Sequence, residues 1–183
     1  MNSEIKNKIE DFFRLAIDHR DKHRCGGYPY LDYAKLFEIV EKGQYKKILE
    51  VGTGIGFSAL VMHLAGADMV DTIDRNKEHI DFFKNYLESE GIADEVNPVK
   101  GKAHIVLKDF KTDEYDMVFF DGYAPQITQG VEFLRMLKKD GLLVSANSHL
   151  EGAYKKEYID FLKDTDKWTF VESFNDTIIY KKV

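Results

Sequence analysis

The stretch Ile48-Leu49-Glu50-Val51-Gly52-Thr53-Gly54-Ile55-Gly56-Phe57-Ser58 decides the fold. Ile48 to Val51 read as a buried strand, three alternating glycines make a turn, and from Phe57 the apolar positions continue at helical spacing. A strand that enters a helix through glycines puts bare backbone at the C-terminal edge of a sheet, where doubly wound α/β folds bind nucleotides. The dinucleotide fingerprint needs its third glycine one position later, where Phe57 stands. Glu50, just before the turn, would repel a diphosphate but suits a ligand carrying an ammonium and a sulfonium. Asp74, eighteen residues past Gly56, ends the next strand candidate, where a carboxylate can accept hydrogen bonds from ribose hydroxyls.

Outward from this loop the chain alternates. Strand-like runs at 47–51, 69–73, 95–99, 115–120 and 142–146 are each followed by a helical period, at 57–65, 76–90, 102–110, 126–138 and 154–163. Such alternation builds a parallel sheet covered by helices on both faces. The runs 168–174 and 177–181 are separated only by Asn175-Asp176, and so short a loop permits only an antiparallel hairpin. Pro98 inside the third run removes a ladder donor and belongs on an edge strand. The expected fold is a doubly wound, Rossmann-like, seven-stranded mixed sheet in the order 3-2-1-4-5-7-6. N-terminal helices precede it: Ile5, Ile9, Phe12, Phe13, Ala16 and Ile17 mark one, a polar turn spans 21–30, and Tyr33, Leu36, Phe37 and Val40 mark a second, capped by Asp32 and ended by Gly43. One domain over 1–183 is expected, with 1–43 as a helical segment and 44–183 as the ligand-binding core.

At 183 residues, with 44% hydrophobic and 32% charged, the chain can bury a sizeable core. Its net charge of −6 is the wrong sign for general binding to nucleic acid or anionic lipid. Cys25 is the single cysteine, which excludes an internal disulfide and fits a reducing compartment. With no signal-type or membrane-spanning apolar run, the expected location is the cytoplasm.

Several residues point to a family. They are the 50–58 loop, Ile73-Asp74, Gly101-Lys102-Ala103-His104, Tyr115-Asp116-Met117-Val118-Phe119-Phe120-Asp121 and the closing hairpin. From about Tyr30 to its end the chain resembles the class I S-adenosylmethionine-dependent methyltransferases, within them the small O-methyltransferases related to catechol and caffeoyl-coenzyme A O-methyltransferases. The resemblance implies S-adenosylmethionine as cofactor, with Glu50, Gly52 and Gly54 at its methionine end, Asp74 at the ribose, and Ala103 and His104 at the adenine. Thr53 and Ser58 in the loop, Arg75 beside Asp74, and Asp121 complete the expected cofactor shell.

Asp121 ends a buried run and is also the leading candidate for orienting the acceptor; its other reading is a cap for the helix that follows. In the resembled metal-dependent enzymes the matching aspartate binds a divalent ion together with an Asp-Asn pair, which here reads Ala146-Asn147. A lysine base three residues on is replaced by Ala124. No metal ligand is therefore assigned, and a divalent ion is in doubt. Asn147 and His149 are further catalytic candidates, the histidine as a base, because its ordinary pKa suits proton abstraction, or as a replacement metal ligand. Tyr123 is a candidate wall of an acceptor site, and 25–30, with two glycines beside two tyrosines, a candidate flap. His63 reads as a packed or half-exposed helix residue, and His19 and His23 as solvated surface. The dibasic pairs at 138–139, 155–156 and 181–182 read as solvated ends. The expected activity is methyl transfer to an oxygen of a small-molecule acceptor, with a nitrogen as the second choice. A non-catalytic cofactor-binding module, an RNA methyltransferase and an NAD-dependent oxidoreductase stay open, as does a homodimer.

Overall fold

A computed structural model describes residues 1–123, 126–147 and 155–183. In chain order the elements are α1 (Ser3–His23), α2 (Tyr33–Gly43), β1 (Lys47–Val51), α3 (Phe57–Leu64), β2 (Met69–Asp74), α4 (Lys77–Glu90), β3 (Val96–Lys100), α5 (Ala103–Val106), β4 (Tyr115–Phe120), α6 (Ile127–Met136), β5 (Leu137–Ser145), α7 (Lys155–Leu162), β6 (Trp168–Phe174) and β7 (Thr177–Lys182). The seven strands form one sheet in the order β3-β2-β1-β4-β5-β7-β6, as the alternating pattern predicts. No helix among the described residues is long and apolar enough to cross a membrane.

Packing groups the chain into two compact units, residues 1–48 with 53–101, and residues 49–52 with 102–183. In the first, β2 and β3 are parallel, with Thr72 opposite Pro98. The proline is tolerated because β3 is an edge strand. The apolar stripe of α1 buries Ile9, Phe12 and Ala16, and the Phe12 ring lies 4.2 Å from Tyr86 and 5.9 Å from Phe83 on α4. That stripe exists because apolar residues recur every three to four positions, which brings them to one side of the helix.

In the second unit, β4 and β5 are parallel while β5, β7 and β6 pair antiparallel. β4 is almost wholly buried, which accounts for its near-continuous apolar run. Phe120, Phe133 and Tyr158 pack together behind it, and Phe161 meets Trp168 edge to face.

The structure differs from the sequence pattern at several boundaries. The expected turn at 21–30 is helical as far as His23, where Arg24 takes a left-handed conformation. Gly43 is the last residue of α2 rather than its stop; Gln44 takes the left-handed position. Asp32 starts α2 through its backbone carbonyl, which accepts from Lys35 and Leu36, without a capping bond from its side chain. The helix expected at 102–110 is the single turn of α5 followed by a 3-10 turn, Leu107–Asp109. β5 begins five residues early, at Leu137, and its pairing with β4 jumps from Tyr115–Leu137 to Met117–Leu142. The polar 138–141 segment, with Asp140 at φ +64°, has no apolar pattern to reveal this irregular first part.

Candidate functional site

The first unit carries Asp74, the acid expected at the ribose. Asp74 is mostly buried, its Oδ2 accepts from the Gly54 N–H at 2.9 Å, and its Oδ1 accepts from the Asn76 N–H at 2.7 Å. The carboxylate thus clamps the glycine loop and starts α4, whose N-cap is Asn76. Thr53 is buried with its hydroxyl 2.6 Å from that of Thr72, and its N–H donates to the Ile73 carbonyl. Its side chain ties the loop to β2. Gly56 is at φ +88°, and a Cβ there would lie 2.2 Å from the Phe83 ring, so only glycine fits. Arg75 beside Asp74 is exposed, while Ser58 is buried in the first turn of α3.

His79 is the residue that the sequence reading passed over. It is buried on α4, with Nε2 3.0 Å from the Cys25 carbonyl and Nδ1 3.5 Å from Asp74 Oδ2. Both ring nitrogens face oxygens, an arrangement that suits the imidazolium. Burial acts to lower its pKa, but Asp74 and the Cys25 carbonyl outweigh burial and raise it. Burial likewise pushes the Asp74 pKa up, but His79 and the N–H groups of Asn76 and Gly54 hold it below the usual value. One turn of helix separates His79 from the Asn76 cap; only the fold brings it to Cys25, 54 residues away. The 25–30 segment expected as a flap is anchored here, with Gly27 against Ile55 and His79 and Tyr30 buried. Tyr28 is exposed under the guanidinium of Arg20.

The second unit carries the candidate catalytic acid. Glu50 is fully buried near the end of β1. Gly52, at φ +107°, lies against the backbone after β4: a Cβ there would sit 2.6 Å from the Asp121 carbonyl oxygen. The Asp121 N–H donates to the Val51 carbonyl at 2.9 Å, which aligns the ends of β1 and β4. Asn147, at φ +57°, donates from its amide to Asp121 Oδ1 at 2.6 Å. Asp121 keeps some exposure, yet protein packed around the carboxyl strips away enough water to push its pKa up to about 7, against the smaller opposing effect of Asn147. The helix-cap reading of Asp121 is not met. The N-cap of α6 is Gln126, whose N–H donates to Gln129 Oε1 at 3.1 Å.

A divalent ion does not fit Asp121 and Asn147 as they stand. The amide turns a donor toward the carboxylate, and the neighbouring position holds Ala146, which is buried. Hard cations need several oxygen ligands.

Among the remaining candidates, Ala103 is half-buried and His104 exposed on α5, and Tyr123 is exposed. His149 and Ala124 lie outside the described residues. His63 is half-buried. The expectation of solvated surface fails for His19, whose side chain is only 14% exposed. It stacks on Phe82, which no sequence spacing could reveal. Lys138, Lys156, Lys181 and Lys182 pair with Asp116, Asp160, Asp140 and Asp113.

Three comparisons place the chain among known proteins. A Mycobacterium sp. (strain JLS) protein, whose name places it provisionally among O-methyltransferases, is 35% identical over 124 residues, 65% of this chain and 56% of its own length. The chain thus matches little more than half of that relative. A ribosomal RNA small subunit methyltransferase G of Mycoplasma capricolum is 24% identical over 212 residues, 100% of this chain and 85% of that protein. The crystal structure of a Bacillus cereus O-methyltransferase in complex with SAH superposes with a TM-score of 0.80 at 15% identity, over 93% of this chain and 90% of that one. That likeness shows a shared fold. The family model described as O-methyltransferase matches residues 32–179, from α2 to β7, and the chain belongs to that family.

Proposed function

We propose that the chain transfers the methyl group of S-adenosylmethionine to an oxygen of a small-molecule acceptor, with Asp121 as the group that receives the acceptor proton. The observation that carries this reading is the Asp121 carboxyl, poised near neutrality, held by Asn147 and relieved of any capping duty. A general base works best with a pKa near the operating pH. The cofactor supplies an electrophilic methyl on a sulfonium that is already a good leaving group, so the protein has mainly to align the reactants and accept a proton.

Residue by residue, Glu50 offers a negative charge to the cofactor ammonium, and Gly52, Gly54 and Ser58 line the turn. Asp74 keeps lone pairs for ribose hydroxyls after serving Gly54 and Asn76, with Arg75 beside it. Ala103 and His104 serve the adenine, and Thr53 acts through the loop that it holds. Asn147 orients Asp121. His149 is a second candidate base on the same stretch. No step runs through a metal ion. The ion pairs of the dibasic segments support a small-molecule acceptor over RNA, and the lone cysteine supports the cytosol.

The test is methyl transfer from labelled S-adenosylmethionine to a panel of catechols, other phenols and acyl thioesters, with a structured RNA as comparison. Label on a small hydroxyl acceptor, unchanged by added Mg²⁺, is expected. Label only on RNA, or transfer that appears only with Mg²⁺, would overturn the corresponding part.

A further inference from the structure

We propose that His19, His23 and Glu78 form a binding site for a divalent transition metal ion of the zinc class, which clips the end of α1 to the first turn of α4. The two histidines are four apart on α1 and therefore share a face. Their rings stack at 4.4 Å and 26°. Glu78 approaches from α4: its Oε1 is 2.8 Å from His23 Nδ1 and 3.8 Å, beyond hydrogen-bond reach, from His19 Nε2. One ligand atom from each residue lies within 4.8 Å of the other two. A tetrahedral ion with bonds of about 2.0–2.1 Å spaces its donors by about 3.3 Å, so small side-chain movements bring these three into place.

Two features favour an ion over a simple ion pair. His19 Nε2 is buried and has no hydrogen-bond partner among the described residues, so a lone pair there would otherwise go unused. The His19 ring is held by stacking on Phe82 at 4.0 Å and 28°, and a ligand fixed by packing loses little freedom on binding. The cluster opens on a groove of about 580 Å³ that also includes Asn76, Asp81 and Asn85, leaving room for water at a fourth position. Two imidazoles and one carboxylate select Zn²⁺, Ni²⁺ or Cu²⁺ over Mg²⁺. The cluster shares no residue with the methyl-transfer reading, and its test is independent of that reading.

The experiment is calorimetric titration of the tag-free, chelator-stripped full chain with Zn²⁺ and with Ni²⁺, alongside melting curves. His23 and Glu78 are each 42% exposed, so His23→Ala and Glu78→Gln are the informative variants; His19 is packed and serves only as a supporting one. One Zn²⁺ per chain is expected, with a rise in Tm. Either variant should weaken binding by about tenfold or more and shrink that rise accordingly. Cys25→Ser and Asp121→Ala should bind as the wild type does. Absence of Zn²⁺ binding at about 100 μM, or equal affinity in His23→Ala, would overturn the proposal. So would loss of binding in Cys25→Ser or Asp121→Ala alone.

Discussion

Asp121 combines a displaced pKa with a candidate role, so its chemistry is testable twice. Its folded pKa of about 7 stands above the ordinary 3.8. A raised acid pKa means that the folded state binds the proton more tightly than the unfolded chain does. Stability is therefore lost as pH rises from about 4 to about 7. Asp121→Asn removes that loss while keeping an oxygen for the Asn147 amide, so its advantage in Tm over the wild type should grow between pH 5 and pH 8. In the same variant kcat/KM for methyl transfer should fall by about a hundredfold or more. A constant Tm difference with normal turnover would remove Asp121 from the chemistry. Asp74 carries a double duty. Asp74→Ala should weaken S-adenosylhomocysteine binding by about 1.5–3 kcal/mol and also lower Tm, because the Gly54 and Asn76 N–H groups lose their acceptor. Unchanged affinity with a lowered Tm would leave it a purely structural clamp.

At the scale of elements, the glycine loop is where local sequence and tertiary packing meet. The Gly52 backbone turns at φ +107°, and the Asp121 carbonyl oxygen stands 2.6 Å from where a Cβ would sit, two independent reasons why no side chain fits. Gly52→Ala should therefore cost more than the roughly 1 kcal/mol of an ordinary strained position. It should also disturb Asp121, so methyl transfer should fall in whatever protein stays folded. Chemical denaturation with an activity assay on the same sample measures both; stability and turnover equal to wild type would contradict the close approach. The motif announces that glycines are needed. It does not say that the reason at position 52 is the backbone just after β4, nearly seventy residues further on.

For the whole molecule, ligand and fold are linked by mass action: a ligand that binds only the native state stabilises it in proportion to the logarithm of its concentration over Kd. S-adenosylhomocysteine should raise Tm, and NAD should not, since Glu50 and the Phe57 position disfavour a diphosphate. Stabilisation by NAD alone would overturn the cofactor assignment. The same measurement separates the cofactor from the zinc-class ion, because His23→Ala should retain the response to S-adenosylhomocysteine.

The sequence by itself determined the strand order, since alternating apolar runs, the two-residue Asn175-Asp176 link and Pro98 each restrict topology through local rules. It also marked Asp74 and Asp121, because an acid at the end of a buried run stands at the sheet edge where doubly wound folds bind ligands. Strand and helix periods are short-range properties, so they survive without coordinates. Element ends were less legible: the polar residues at 21–23 and 138–141 carry no periodicity, and α1 and β5 run through them. Only the tertiary structure decided what the side chains meet. His79 reaches both Asp74 and Cys25, Gln126 rather than Asp121 caps α6, and Glu78 comes to a histidine pair on another helix. Each depends on which faces of distant segments pack together, and local spacing along one chain does not encode that geometry.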